Sequence, residues 1–401
     1  MKKVVKVALV FLILLFVFSC KEDAFLPDII PVQVDRTLIN WTTKTHYTLT
    51  KDTQTGKVIC PEEPYIQCLE KEKNNDFVIL NFSDIQLDPG IVITAGEKKL
   101  IKELVRTQKP NLITLTGDQS YGCAIPLKSL CDFIDSLGIP WAPVFGNHDH
   151  NRHNISVEKQ CALYEQYENC MFKTGPFLGT TNNSDKLGNY VIHIYENTQD
   201  GFEVVKSLFF LDSGNKNNYN AADYPGQRRY GTDSWDTLNS QQTDFWKYCM
   251  DSVEIYGNNI KSAIFVHIPI HAYLDAMQAA FKTDKDIYNI PAFLLESRLV
   301  SFRESLSASV WNEGYEGSIG IMREPYCGSP YEDGIFEKIK DKTDLVICGH
   351  DHTNNFVIKY QGVILCYAMK TGYNSYFSPK YTGGTVIHIE ENGNLTVNQI
   401  I

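Results

Sequence analysis

From Phe77 onward the chain alternates short apolar runs with longer amphipathic stretches, and that alternation narrows the possible folds more than any other feature. Phe77–Phe82 (FVILNF), Asn111–Thr116 (NLITLT) and Trp141–Phe145 (WAPVF) are each bounded by Asp, Gly or Pro. Such runs mark strands buried on both faces. Between them, 94–107 and 124–137 carry apolar residues at three- and four-residue spacing, which predicts helices. Strand, helix, strand, helix, strand in this order builds a layered α/β sheet with parallel strands. Further strands are expected at Tyr190–Ile194, Leu208–Leu211, Ala263–Val266, Leu345–Cys348, Val363–Tyr367 and Thr385–Ile389, with an amphipathic stretch at 239–252. The strands after 344 follow one another without helices, which predicts an antiparallel edge.

The start of the chain follows different rules. Lys2, Lys3 and Lys6 precede an unbroken apolar run of twelve residues, Val7 to Phe18. A bilayer crossing needs about 20 residues, so residues 1–19 are expected to be a signal peptide. Ser19-Cys20 resembles a bacterial lipobox, in which the cysteine is lipidated, and Lys21-Glu22-Asp23 resembles an acidic export tag. The expectation is an exported, membrane-anchored bacterial lipoprotein, periplasmic or on the cell surface. Residues 20–75 are read as a tether and a small N-terminal β segment that includes Thr45–Leu49. The main domain is read as 76–401, with an insertion at about 270–340 that carries Gly314, Gly317 and Gly320.

Composition excludes several classes. Apolar residues make up 43% and aromatics 12%, too rich for disorder. The formal charge is −11, and without Lys2, Lys3 and Lys6 the 34 remaining basic residues face 48 acidic ones, a net of −14. No specific nucleic acid partner is expected of such an acidic surface. Ten cysteines follow Cys20 without a C-x-x-C pair, which argues against a zinc ribbon. Cys60 with Cys68, and Cys161 with Cys170, are close enough in sequence to bridge. Cys348 and Cys366 sit inside strand-like runs and read as buried thiols.

Polar residues appear where these strands end. The early three deliver Ser83-Asp84-Ile85-Gln86, Gly117-Asp118-Gln119-Ser120-Tyr121 and Gly146-Asn147-His148-Asp149-His150. Two later ones deliver His267 and Gly349-His350-Asp351-His352. Open α/β sheets place their sites at carboxyl ends of strands. Carboxylates, an amide and imidazoles in that number suit a pair of ions such as Mn, Fe or Zn. Other polar residues near these motifs have plainer readings. His150 and His153 are expected on loops, Asp88, Asp212 and Asp233 in turns, and Asp351 as a loop-stabilising carboxylate. His271, four residues after His267, is a candidate for substrate contact.

The ordered series Asp84, Gly117-Asp118, Gly146-Asn147-His148-Asp149, His267 and Gly349-His350-Asp351-His352 resembles the calcineurin-like metallophosphoesterase superfamily. Gly188-Asn189-Tyr190, Tyr367 with Thr371-Gly372-Tyr373, and Gly383-Gly384-Thr385-Val386-Ile387 are similar to its purple-acid-phosphatase-like branch. The resemblance implies a four-layer α/β/β/α sandwich with a dinuclear site between two mixed sheets. Its cofactors would be two divalent or mixed-valence metal ions. Asp84 and His352 would hold the first, Asp118 would bridge, and Asn147, His267 and His350 would hold the second. His148 would be the general acid, with Asp149 orienting it, and Asn147 would also touch substrate. The implied reaction is hydrolysis of a phosphomonoester or phosphodiester, small or macromolecular, by a hydroxide that the metals activate. Gln86 is the departure, since the family usually has His there. Either Gln86 ligates through its amide oxygen, or Tyr121 reaches the metal, because Gly117-Asp118-x-x-Tyr121 has the purple-acid-phosphatase spacing. The rival expectation is a catalytically weak surface lipoprotein that binds phosphorylated ligands or glycans.

Overall fold

Alternating burial along the strands decides the architecture. The computed structural model describes residues 26, 28–179, 186–231, 233–280 and 324–401. The signal segment, Cys20, most of the 270–340 insertion and its three glycines lie outside the described residues. The chain opens with β1 (Thr50–Lys51) paired with β2 (Val58–Ile59), then β3 (Ile66–Glu70) and β4 (Phe77–Phe82). Helix α1 (Ala95–Gln108), β5 (Leu112–Thr116), α2 (Ala124–Asp135), β6 (Trp141–Val144) and α3 (Val157–Tyr164) complete the expected alternation. Next come β7 (Tyr190–Thr198), β8 (Gly201–Phe210), α4 (Ser240–Val253), β9 (Lys261–Phe265) and α5 (Ala272–Ala280). The last elements are α6 (Ile335–Ile339), β10 (Thr343–Cys348), β11 (Val357–Tyr360), β12 (Val363–Tyr367), β13 (Gly384–Ile389) and β14 (Leu395–Ile400).

A five-stranded sheet has the order β14-β13-β4-β5-β6, with β4, β5 and β6 parallel. The seven-stranded sheet has the order β11-β12-β10-β9-β8-β7-β3, parallel from β12 to β8. Antiparallel strands edge both sheets, β13 and β14 on one and β11 on the other. Both sheets are therefore mixed.

Side chains of the larger sheet divide by parity. Leu208, Phe210, Phe265, Leu345 and Ile347 join one core with Leu80, Phe82, Leu115 and Val386 of the smaller sheet. Phe209, Leu211, Ile264, Val266, Val346 and Cys348 point the other way, onto Phe245, Cys249 and Met250 of α4. Period-two alternation sends successive residues to opposite faces, so the two sheets lie face to face. Tyr190 bridges them by donating to the Pro143 carbonyl at 2.7 Å. Stacked rings of Tyr190, Phe210 and Phe265, each pair 4.8 Å apart, fill the interface. Ile101, Leu104, Leu127 and Leu130 of α1 and α2 add to that same core as the smaller sheet's helix layer. The result is helix, sheet, sheet, helix.

Two expectations change. Thr45–Leu49 is not a strand, and the short hairpin begins at Thr50. β3 pairs in parallel with β7, so the larger sheet extends upstream of residue 76. All ten described cysteines are free thiols, so neither neighbouring pair is bridged, and Cys348 and Cys366 are buried as expected.

Candidate metal centre

The carboxyl ends of β4, β5, β6, β9 and β10 converge on one edge of the two sheets. Backbone bonds lock the loops together there. The Asp84 amide donates to Gly117 O, the Gln86 amide to Asp118 O and the Gly349 amide to His267 O. Asp84, Gln86, Asp118 and His350 all take positive φ, at 50°, 51°, 52° and 77°. Left-handed backbone costs a non-glycine residue on the order of 1–3 kcal/mol and collects at functional sites. Gly349 precedes His350 because a Cβ there would collide with Ser83 Oγ and Asp84 Oδ2.

Asn147 Oδ1 lies 3.0 Å from His267 Nε2 and 2.8 Å from His350 Nδ1. His267 Nε2 is also 3.3 Å from Asp118 Oδ2. On the other side, His352 Nε2 is 3.4 Å from Asp84 Oδ1. Asp84, Asp118 and His352 offer atoms within 4.8 Å of one another, and all three are buried.

Tautomers test whether cations fit here. His267 Nδ1 sits 2.9 Å from the Thr116 carbonyl, and His352 Nδ1 sits 2.9 Å from that of Tyr376. A carbonyl only accepts, so Nδ1 carries the proton in each ring and Nε2 turns its lone pair toward carboxylates. Lone pairs facing lone pairs need a shared cation, and backbone-pinned imidazoles are the usual support of metal ligands. Without one, a proton must do the work. Burial opposes charge on His267, yet Asp118 and Asp84 push it up to about 10. Burial likewise opposes charge on Asp118, yet His267 draws it down to about 2. For Asp84 burial again raises, and the contacts with His352 and His267 outweigh it. The donor set fits two ions.

Residues 77–354 match the family model described as calcineurin-like phosphoesterase. This chain belongs to that family. Its relatives carry purple-acid-phosphatase names as well as plain phosphatase ones. It is 23% identical over 298 residues to the Arabidopsis thaliana protein named "Probable inactive purple acid phosphatase 14", covering 69% of this chain and 62% of that one. It is 24% identical over 336 residues to Phosphatase DCR2 of Saccharomyces cerevisiae, covering 77% and 50%. The chain thus spans between half and two thirds of these relatives. A dimetal phosphatase from Danio rerio aligns over 78% of this chain and 92% of its own, at 12% identity and a TM-score of 0.42.

Within this calcineurin-like phosphoesterase, the branch motifs brace the site. Thr371 Oγ1 accepts from the Ser83 amide at 3.2 Å and donates to the Gly383 carbonyl at 2.8 Å, holding the turn after β4. Asn189 Oδ1 accepts from Gln242 and from the Asp212 amide, tying β7 to α4.

Asp149 does not meet His148. Its carboxylate accepts from the amides of Gly146, Ser120 and Gln119, which joins the loops after β5 and β6. Burial first, then Asp118, pushes it up to about 7. Asn151, missed in the sequence, holds the imidazole instead, with Nδ2 2.8 Å from His148 Nδ1. An amide N–H donating to Nδ1 leaves the proton on Nε2. His148 Nε2 lies 3.9 Å from Asp118 Oδ2.

Gln86 and Tyr121 meet each other: Gln86 Nε2 donates to the tyrosine hydroxyl at 3.1 Å. Gln86 Oε1 accepts from Lys370 Nζ at 3.3 Å. His271 is buried between Tyr230 and Tyr326, and among the described residues no hydrogen bond reaches its ring nitrogens. None of its described contacts is with the ligand set. His153 is exposed as expected. His150 is not a surface loop residue: its side chain keeps only 6% exposure, with Nε2 2.9 Å from Asp212 Oδ1. Asp212 is both that partner and a turn residue, accepting from the Gly214 amide. Asp351 is buried beside Cys327 and His350.

Proposed function

We propose that this chain is an exported, lipid-anchored metallophosphoesterase that hydrolyses phosphomonoesters or phosphodiesters. The observation that carries the reading is the pair of backbone-pinned imidazoles, His267 and His352, whose lone pairs face Asp118 and Asp84. Asp84 and His352, with Gln86 or Tyr121 nearby, would hold a first ion. Asn147, His267 and His350 would hold a second, and Asp118 lies between the two groups. When bound, the ions supply Lewis-acid polarisation of the phosphoryl group and a nucleophile available at neutral pH.

The chain's own residues do the rest. The left-handed turns fix the carboxylates before substrate arrives, so little reorganisation remains. Asn151 keeps the His148 proton on Nε2, on the ring edge nearest Asp118. In its imidazolium form, with the Asn151 amide turned so that its oxygen accepts from Nδ1, His148 gives the Nε2 proton to the departing oxygen of the ester and is left a neutral imidazole. Asp149 positions by bracing two loops and transfers no proton. Export and anchoring rest on the basic, apolar and Ser19-Cys20 pattern of residues 1–20. Among the described residues no helix is long and apolar enough to cross a membrane.

Turnover of a chromogenic phosphomonoester and a phosphodiester by the purified chain tests the reading. Chelation should abolish turnover, and added Mn²⁺, Fe or Zn²⁺ should restore it. A metal-loaded chain that turns over neither ester, yet binds a phosphorylated ligand, would favour the binding lipoprotein.

A further inference from the structure

Lys370 is 1% exposed, and among the described residues no carboxylate lies within ion-pairing distance of its ammonium. The position is built by the backbone. Lys370 follows β12 and bridges in parallel to Ser83, the Thr371 amide donates to Ser83 O, and the Gly383 amide donates to Lys370 O. These bonds aim the side chain beneath the turn that carries Asp84 and Gln86. Its Nζ donates to the Asp84 carbonyl at 2.7 Å and to Gln86 Oε1 at 3.3 Å.

A buried ammonium bonded only to neutral oxygens is costly unless a nearby negative field compensates it. The nearest such field is the Asp84 and Asp118 pair, the two carboxylates that the first ion needs. Both polar ends of Gln86 are also engaged, the oxygen by Lys370 and the nitrogen by Tyr121. An amide oxygen facing a lysine has little left to give a metal.

We infer that Lys370 is a resident positive charge at the first metal position, so that the chain holds its two ions unequally. The ion at Asn147, His267, His350 and Asp118 is tight. The ion at Asp84 and His352 is weak, because the ammonium beneath the same turn already offsets part of the carboxylates' field. This rests on the metallophosphoesterase reading and adds an order of filling to it. A unit charge held inside the same buried site, at the effective dielectric of a protein interior, changes a cation's affinity by roughly 100-fold. The departure at Gln86 then has a physical sense: a neutral amide can accept from Lys370, whereas a metal-ligating imidazole there would leave the ammonium without that acceptor.

Titration of the metal-free full chain with Mn²⁺ by calorimetry, checked by electron paramagnetic resonance of the bound ion, tests this without any turnover. Wild type should bind one Mn²⁺ tightly and a second roughly 100-fold more weakly. Lys370→Gln keeps a donor for the Asp84 carbonyl but removes the charge, and should tighten the second step at least tenfold while leaving the first unchanged. Lys370→Arg keeps the charge and should leave the second step weak. Equal affinities in wild type, or a second step that ignores Lys370→Gln, would overturn the inference. If Gln and Arg tighten the second step alike, shape rather than charge is responsible and the inference also fails. A chain that binds no Mn²⁺ at all would instead overturn the metal-centre reading itself.

Discussion

His148 keeps 29% of its side chain exposed, while Asp118 beside it keeps 1%. That asymmetry suits the proposed roles, His148 as a proton donor that meets substrate and Asp118 as a group that holds an ion. His148→Ala should lower the rate on esters of poor leaving groups by about 10²–10⁴-fold, with metal still bound. A nitrophenyl ester, whose leaving group needs little protonation, should lose far less. Equal losses on both would move His148 from proton transfer to binding. The residues around it show what local sequence can carry. Asp84, Asp118, Asn147, His267, His350 and His352 were legible because each directly follows an apolar strand. The partner of His148 was not legible, because adjacency favoured Asp149, whereas the turn places Asn151 at the ring. Lys370 left only a faint mark, a lone cation just beyond the β12 run. Its meaning depends on Gln86, 284 residues away.

At the scale of elements, the strands buried on both faces were the easiest to find. β4 matches its apolar run residue for residue, and β5 and β6 differ by one residue at an end. β3, β11 and β14 escaped notice because edge strands mix exposed and buried positions, as in the half-buried Ile66–Glu70. β8 extends seven residues upstream of its apolar core, through Gly201–Ser207, where pairing with β7 rather than apolarity sustains it. Helix α1 begins at a capping box in which Thr94 and Glu97 satisfy each other's amides. Glu97 is fully buried and also accepts from the Tyr373 amide at 3.0 Å, so it ties α1 to the loop just past Lys370. Glu97→Ala should therefore cost about 1–3 kcal/mol in denaturant unfolding, because it strands buried donors. A loss below about 0.5 kcal/mol, the range of an ordinary surface change, would show that this carboxylate braces nothing.

The whole molecule places its site where two sheets present strand ends to one edge, with helices covering the outer faces. The alternation of runs pointed to a layered α/β sheet, whereas the second sheet and its facing came only from the family resemblance, because parity of burial emerges only from long-range pairing. The proposed signal and anchor in residues 1–20 are tested separately from the site. Cys20→Ala should move the protein from the membrane fraction to the soluble fraction on cell fractionation. Unchanged partitioning would remove the lipid anchor from the account.

Asp118 lies between both groups of ligands, 3.3 Å from His267 and grouped with Asp84 and His352. Elemental analysis of Asp118→Ala against wild type, paired with phosphoester turnover on the same preparations, tests the central claim most directly. Loss of bound metal together with loss of turnover is the predicted result. Wild-type metal content and rate in that variant would contradict it.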